Sequence, residues 1–115
     1  MKIIIAGGRD FDNYKLLFKR CNIILFNVSN IEIVSGKAKG ADTLGEKYAK
    51  ERNLHIKEFP ANWKLYGKKA GMLRNEEMAK YADALIAFWD GKSTGTANMI
   101  NLAEQHNLLI RIIRY

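Results

Sequence analysis

Residues 3–10 read Ile3-Ile4-Ile5-Ala6-Gly7-Gly8-Arg9-Asp10. The unbroken apolar run, mostly β-branched, predicts a short strand covered on both faces, because a half-exposed strand would alternate apolar with polar residues. The glycine pair lets the backbone turn sharply and lets a ligand come close to the main-chain amides. Arg9 follows that pair at the tip of a central strand, where a guanidinium can grip a phosphate through two parallel hydrogen bonds.

Outward from this stretch, four more apolar runs recur at Ile31 to Val34, His55 to Phe59, Ala84 to Trp89 and Leu108 to Ile113. Ala84–Phe88 is apolar throughout and reads as a second central strand. Between the runs, apolar residues return at three- and four-residue steps, the mark of a helix with one buried face. Tyr14, Leu17, Phe18, Cys21, Ile24, Leu25 and Val28 form the first face, and Ala41, Leu44, Gly45 and Tyr48 a shorter second one. A third helix is expected from about Lys69 to Tyr81, with Gly71, Asn75, Met78, Ala79 and Ala82 inward. A fourth begins near Thr96 and carries Met99, Leu102, Ala103 and His106. Strand and helix alternating to a fifth strand predict the α/β class: a small Rossmann-like three-layer sandwich with a mainly parallel five-stranded sheet. Ligands of such sheets sit beyond the carboxyl ends of the strands, at the switch in strand order.

The 115 residues suit a single domain over 1–115, with no repeat or proline-rich linker to divide it. One cysteine gives no disulfide framework, and Cys21 with two histidines cannot supply four zinc ligands, so no metal or cofactor is expected. The first apolar run is too short for a signal-peptide core or a membrane span. A cytoplasmic domain without a membrane partner is the expectation. The net charge of +7 permits an anionic partner without identifying one.

Three strands run directly into glycine-containing polar segments. They are Gly7-Gly8-Arg9-Asp10, Ser35-Gly36-Lys37-Ala38-Lys39-Gly40-Ala41-Asp42 and Asp90-Gly91-Lys92-Ser93-Thr94-Gly95-Thr96. Each opens a helix, whose free amides and positive dipole end favour phosphate. One such loop is usually just a turn; three at one mouth favour a phosphate-bearing ligand. Arg9, Lys37, Lys39, Lys64, Lys68, Lys69, Arg74 and Lys92 face Asp10, Asp12, Asp42 and Asp90 in or beside these loops, so the mouth is expected to hold four of the seven excess charges. For the lysines, a generally basic surface explains as much. Standard nucleotide motifs fail: Gly7-Gly8-Arg9-Asp10 is not the dinucleotide glycine fingerprint, and the earlier glycine that a P-loop ending at Gly91-Lys92-Ser93 requires is Ile86.

The combination resembles the SLOG superfamily, in particular its YpsA-related branch. The resemblance rests on Gly7-Gly8-Arg9-Asp10-Phe11, Ser35-Gly36 through Gly40-Ala41-Asp42, Ala70-Gly71 with Arg74-Asn75 and Met78, and Ala82-Asp83 through Trp89-Asp90-Gly91 to Ser93-x-Gly95-Thr96, in order over nearly the whole chain. It implies a Rossmann-like domain that binds a nucleotide or nucleotide-derived ligand. Phosphate contacts fall by similarity to Gly95, Thr96 and Arg74, with Arg9 and the Ser35–Gly36 backbone completing the pocket. Phosphoribohydrolases of the superfamily carry a glutamate closely after their Gly-Thr signature. Here that place is held by Asn98, which cannot act as a carboxylate base or stabilise an oxocarbenium ion by charge. Binding survives this departure better than catalysis, so a sensor or sequestering protein is expected ahead of a hydrolase, with no catalytic residue assigned. Another branch binds single-stranded DNA on this fold, which keeps nucleic acid open, although few aromatics interleave with the basic positions. The resemblance also points to a small homo-oligomer.

The remaining conspicuous residues have plainer readings. Trp63, in an expected loop, suits base stacking or an oligomer contact; Tyr66 can stack as well, and Trp89 is core or a stacking surface. Cys21 reads as a buried thiol, and His106 complements a helix dipole. Asp12 and Asp42 read as helix caps, Asp83 as the end of the third helix or the start of the fourth strand, and Asp10, Asp42 and Asp90 can also reach ribose hydroxyls.

Overall fold

Alternate side chains of β1 (Lys2–Gly7) divide the core in two. Ile3 and Ile5 pack with Leu17 and Cys21 of α1 (Tyr14–Ile24) and with Ala41, Tyr48 and Ala49 of α2 (Ala41–Glu51). Ile4 and Ala6 pack on the other face with Met78 and Ala79 of α4 (Ala70–Tyr81) and with Met99, Ile100 and Ala103 of α5 (Thr94–Gln105). A strand with helices on both sides has no solvent face, which is why β1 tolerates no polar residue between Ile3 and Ala6. The computed structural model describes residues 1–115 throughout.

The other strands are β2 (Glu32–Ser35), β3 (His55–Glu58), β4 (Ala84–Trp89) and β5 (Leu109–Arg114). Their order is β3-β2-β1-β4-β5, and every neighbouring pair is parallel. The chain winds outward from β1 to β3, then crosses back to β4 on the opposite side of β1. The strand order therefore reverses between β1 and β4, whose loops part at Gly7, paired in register with Phe88. No helix is long and apolar enough to cross a membrane.

Several boundaries differ from the sequence reading. α1 stops at Ile24, where the Leu25 amide bonds back to the Cys21 carbonyl. Val28 lies past its end yet still packs against the core. Its N-cap is Asn13, which accepts from the Leu16 amide at 3.0 Å; Asp12 is not the cap. Gly40 occupies the cap position of α2, and Asp42 lies inside its first turn. Trp63 opens a one-turn helix, α3 (Trp63–Tyr66), capped by Asn62, and Gly67–Lys69 form a 3₁₀ turn leading into α4. α5 starts at Thr94, two residues before the expected start near Thr96, because Ser93 caps it. Asp83 stands just before β4, where its carboxylate accepts from the Lys2 amide at 2.8 Å.

Candidate functional site

The floor of the site is made where the loops after β1 and β2 press together. The Gly8 carbonyl accepts from the Ala41 amide at 3.2 Å, and the Gly8 amide donates to Phe88 at 3.1 Å. A Cβ on Gly7 would lie 2.2 Å from the Phe88 carbonyl oxygen, and one on Gly40, at φ +78°, would lie 2.2 Å from that of Gly8. Both positions therefore require glycine, and both serve the close approach of backbone to backbone.

Above this floor, at the switch point, lies a cleft of about 630 Å³. That volume falls within the range of small-molecule sites. Among the expected ligand residues, Gly7, Gly8, Arg9, Asp10, Asp42, Arg74, Asn75, Asp90, Ser93, Gly95 and Thr96 line it. Ser35, Gly36, Lys37, Gly40, Ala41 and Gly91 do not. Ser35 is buried, and its hydroxyl donates to Glu46 at 2.6 Å. Lys37, held at φ 62°, turns its ammonium to Glu46 and Glu58, each at 3.0 Å. Gly36 lends its carbonyl to Arg74, Ala41 is wholly buried, and Gly91 sits under the Arg114 guanidinium.

The electrostatics also differ from the expected cationic mouth. Of the eight cations expected there, only Arg9, Lys68 and Arg74 line the cleft, beside the carboxylates of Asp10, Asp42 and Asp90. The carboxylates, however, are engaged by the protein itself. Asp10 accepts from the Tyr115 hydroxyl at 2.9 Å, and Asp90 from the Lys92 and Ser93 amides, each at 2.8 Å. Those amides hold Asp90 below the usual carboxylate range. Asp42 accepts from the Ala38 amide at 3.2 Å, yet burial outweighs that bond and the Arg74 charge and pushes its carboxyl up to about 6. The cations have no carboxylate partner: the chain's ion pairs join Lys37 to Glu46 and Glu58, and Lys80 to Glu76. Arg74 donates through Nη1 to Gly36 and through Nε to Asn75 Oδ1 at 3.0 Å. Burial depresses its pKa, Asp42 opposes that, and the neighbouring charge of Arg9 depresses it further. Two guanidiniums repel one another across the site with no carboxylate in contact, which suits an anion shared between them.

The wall opposite α4 is the start of α5. Ser93 Oγ lies 3.1 Å from Thr96 Oγ1 and 3.4 Å from the Thr96 amide. The amides of Thr94 and Gly95 bond to no acceptor in the protein. Around a Cβ at Gly95 there would be open space, with nothing within 4 Å. Asn98 lines the cleft behind this turn, and its carbonyl accepts from Asn75 Nδ2 at 3.0 Å, tying α5 to α4. No group of three or more His, Cys, Asp or Glu side chains comes together as a metal site.

Sequence reasoning missed Ala38, Met72, Met78, Thr94 and Met99 as lining residues. Met78 and Met99 carry only a core signal, being buried on the inner faces of α4 and α5. Trp89 packs against the core, donates to the Ser93 carbonyl at 3.1 Å and lies under Arg114, so its ring is structural. Trp63 does line the cleft, and it is 51% exposed.

Comparison with known proteins gives three matches. The model of the YspA, cpYpsA-related SLOG family matches residues 1–66. The Gene 61 protein of Mycobacterium phage D29 is 37% identical over 79 residues, which are 64% of this chain and 63% of that relative's length. Among solved structures, DNA processing protein A from Helicobacter pylori, described as binding single-stranded DNA, superposes with a TM-score of 0.67 at 18% identity. The superposition covers 97% of this chain and 64% of the other, a likeness of fold.

Proposed function

The chain belongs to the YspA, cpYpsA-related SLOG family, and from that premise we propose that its cleft holds a nucleotide or nucleotide-derived, phosphate-bearing ligand, as a sensor or sequestering protein. One observation carries this reading: Arg9 and Arg74, neither in contact with a carboxylate, face the same cleft as the unbonded amides at the start of α5. A helix N-terminus and a guanidinium recognise phosphate by complementary means, the first by fixed dipoles and the second by a planar fork of donors. In this reading the phosphate lies against Thr94–Thr96, Arg74 is held ready by Gly36 and Asn75, and Arg9 closes over it from the β1 side. Gly95 keeps the approach open.

Retention rather than turnover follows from Asn98. Breaking an N-glycosidic bond requires stabilising positive charge on the ribose, which an amide already committed to Asn75 does not do. A hydrolase is the second reading, favoured by Asp42, whose carboxyl at about 6 lies in the range of a general acid. A single-stranded nucleic acid is the third, since its backbone offers the same phosphates and the fold is shared with a protein described as binding single-stranded DNA. The proposed setting is the cytoplasm, and the proposed assembly is a small homo-oligomer.

The test is a thermal-shift panel of adenine and guanine nucleotides, NAD and ADP-ribose, followed by chromatography for free base and ribose phosphate. Ligand at a hundredfold excess over Kd adds about 2.7 kcal/mol and raises Tm. The expected result is a shift with turnover far below the ordinary enzymatic rate of about 10 per second. Release of base at ordinary rates, lost on Asp42→Asn, would move the hydrolase to first place.

A further inference from the structure

We propose that Trp63 is the stacking platform for an aromatic base, so that the cleft takes nucleotides with the base on the α3–α4 wall and the phosphate at the start of α5. The inference rests on the nucleotide reading above and adds its orientation and the ligand's second recognition element. Trp63 is the first residue of the one-turn helix α3, which Asn62 fixes by accepting from the Leu65 amide at 3.1 Å. The indole reaches from there over the first turn of α4. A Cβ on Gly71 would lie 3.3 Å from its outermost ring carbon. Gly71 is an ordinary helical residue with no positive φ, so the backbone does not demand glycine there. Glycine is a poor helix former, costing up to about 1 kcal/mol relative to alanine. What it does is let the indole settle against the helix.

The ring has no other occupation. It is half exposed inside a cleft, no aromatic side chain of the protein stacks on it, and no cation lies over it. The other indole, Trp89, packs with the core and under Arg114. Met72, in the first turn of α4, also lines the cleft and offers it a polarizable apolar side chain. A free phosphate or sugar phosphate has no use for such a surface. A purine or pyrimidine has, because every base presents a π-face, and stacking on an aromatic side chain is worth ~1–3 kcal/mol per base.

The experiment is calorimetric titration of wild type, Trp63→Ala, Trp63→Phe and Gly71→Val with AMP, GMP, CMP, UMP and ribose 5-phosphate. The expected result is that wild type prefers at least one nucleoside monophosphate over ribose 5-phosphate by roughly tenfold or more. Trp63→Ala should erase that preference while leaving ribose 5-phosphate binding unchanged, and Trp63→Phe should keep most of it. Gly71→Val should weaken the monophosphate by displacing the indole. If Trp63→Ala binds that monophosphate as tightly as wild type, or loses both probes equally, the platform is wrong while the nucleotide reading stands. If wild type favours no monophosphate over ribose 5-phosphate, the base subsite is wrong. If wild type binds none of the five probes, the platform is overturned and the nucleotide reading fails for every monophosphate.

Discussion

The Tyr115 hydroxyl occupies the place that a Cβ on Gly8 would take, 2.1 Å from it, while donating to Asp10 Oδ1 at 2.9 Å. Its ring also packs on Phe11, with centroids 4.7 Å apart. The β1 loop that carries Arg9 is thus braced by a residue at the end of β5. Burial and the bond to Asp10 push the Tyr115 hydroxyl up to about 12, so the brace stays protonated at neutral pH.

Three glycines of the cleft should respond differently to alanine. At Gly7 the obstacle is the Phe88 backbone, which cannot move without disturbing the sheet, so Gly7→Ala should cost more than 3 kcal/mol or prevent folding. At Gly8 the obstacle is the tip of a side chain, so Gly8→Ala should cost about 1–2 kcal/mol through the displaced Tyr115 bond and ring contact. Tyr115→Ala and Gly8→Ala should then be non-additive in denaturant unfolding. At Gly95, a helical position, nothing lies within 4 Å, so Gly95→Ala should not lower Tm and should weaken nucleotide binding alone.

Asp42 gives a pH signature. Its folded carboxyl, at about 6, lies above the ordinary value of 3.8, so the native state holds the proton more tightly than the unfolded chain does. Its contribution to stability is fully present below about pH 4, falls as pH rises towards 6, and is flat above. Asp42→Asn removes that loss. Relative to wild type, the variant should gain roughly 1–3 kcal/mol in unfolding free energy between pH 3.8 and pH 7. It should also bind an anionic ligand more tightly at pH 7, because a carboxylate has left the cleft. A difference independent of pH in urea titrations would show that Asp42 does not titrate as described.

Small-molecule and nucleic-acid binding separate by salt. DNA held by surface lysines releases counterions and loses affinity steeply as salt rises. A mononucleotide held by Arg9, Arg74 and backbone amides should lose far less over the same range. Submicromolar single-stranded DNA binding at physiological salt, abolished by Lys64→Ala, Lys68→Ala and Lys69→Ala together, would favour the nucleic-acid reading instead.

What was legible in the chain follows from range. Ile3–Ala6 and Ala84–Phe88 announce central strands because burial on both faces removes every polar residue, and Gly7 and Gly8 at the end of the first mark the mouth. Arg9 was legible for the same reason, being tied to a strand tip by two residues. The role of Lys37 was not, since its partners Glu46 and Glu58 lie 9 and 21 positions away, and only the folded sheet brings them to it. α3 escaped notice because one turn has too few residues for periodicity, with Asn62 its sole local signal. In the sequence Asn98 reads as a missing acid; its bond to Asn75 exists only through the packing of α4 on α5.

The central claim, that Arg9 and the start of α5 hold the phosphate of a nucleotide, is tested most directly by calorimetric titration of wild type and Arg9→Ala with AMP, GMP, NAD and ADP-ribose at fixed salt. Arg9 is exposed and makes no ion pair, so its removal should not disturb the fold. The account predicts that at least one of these nucleotides binds wild type at one site per chain. Its affinity should fall about tenfold or more in Arg9→Ala, as expected for a lost hydrogen bond to a charged group. Binding of none of the four, or binding indifferent to Arg9, would contradict it.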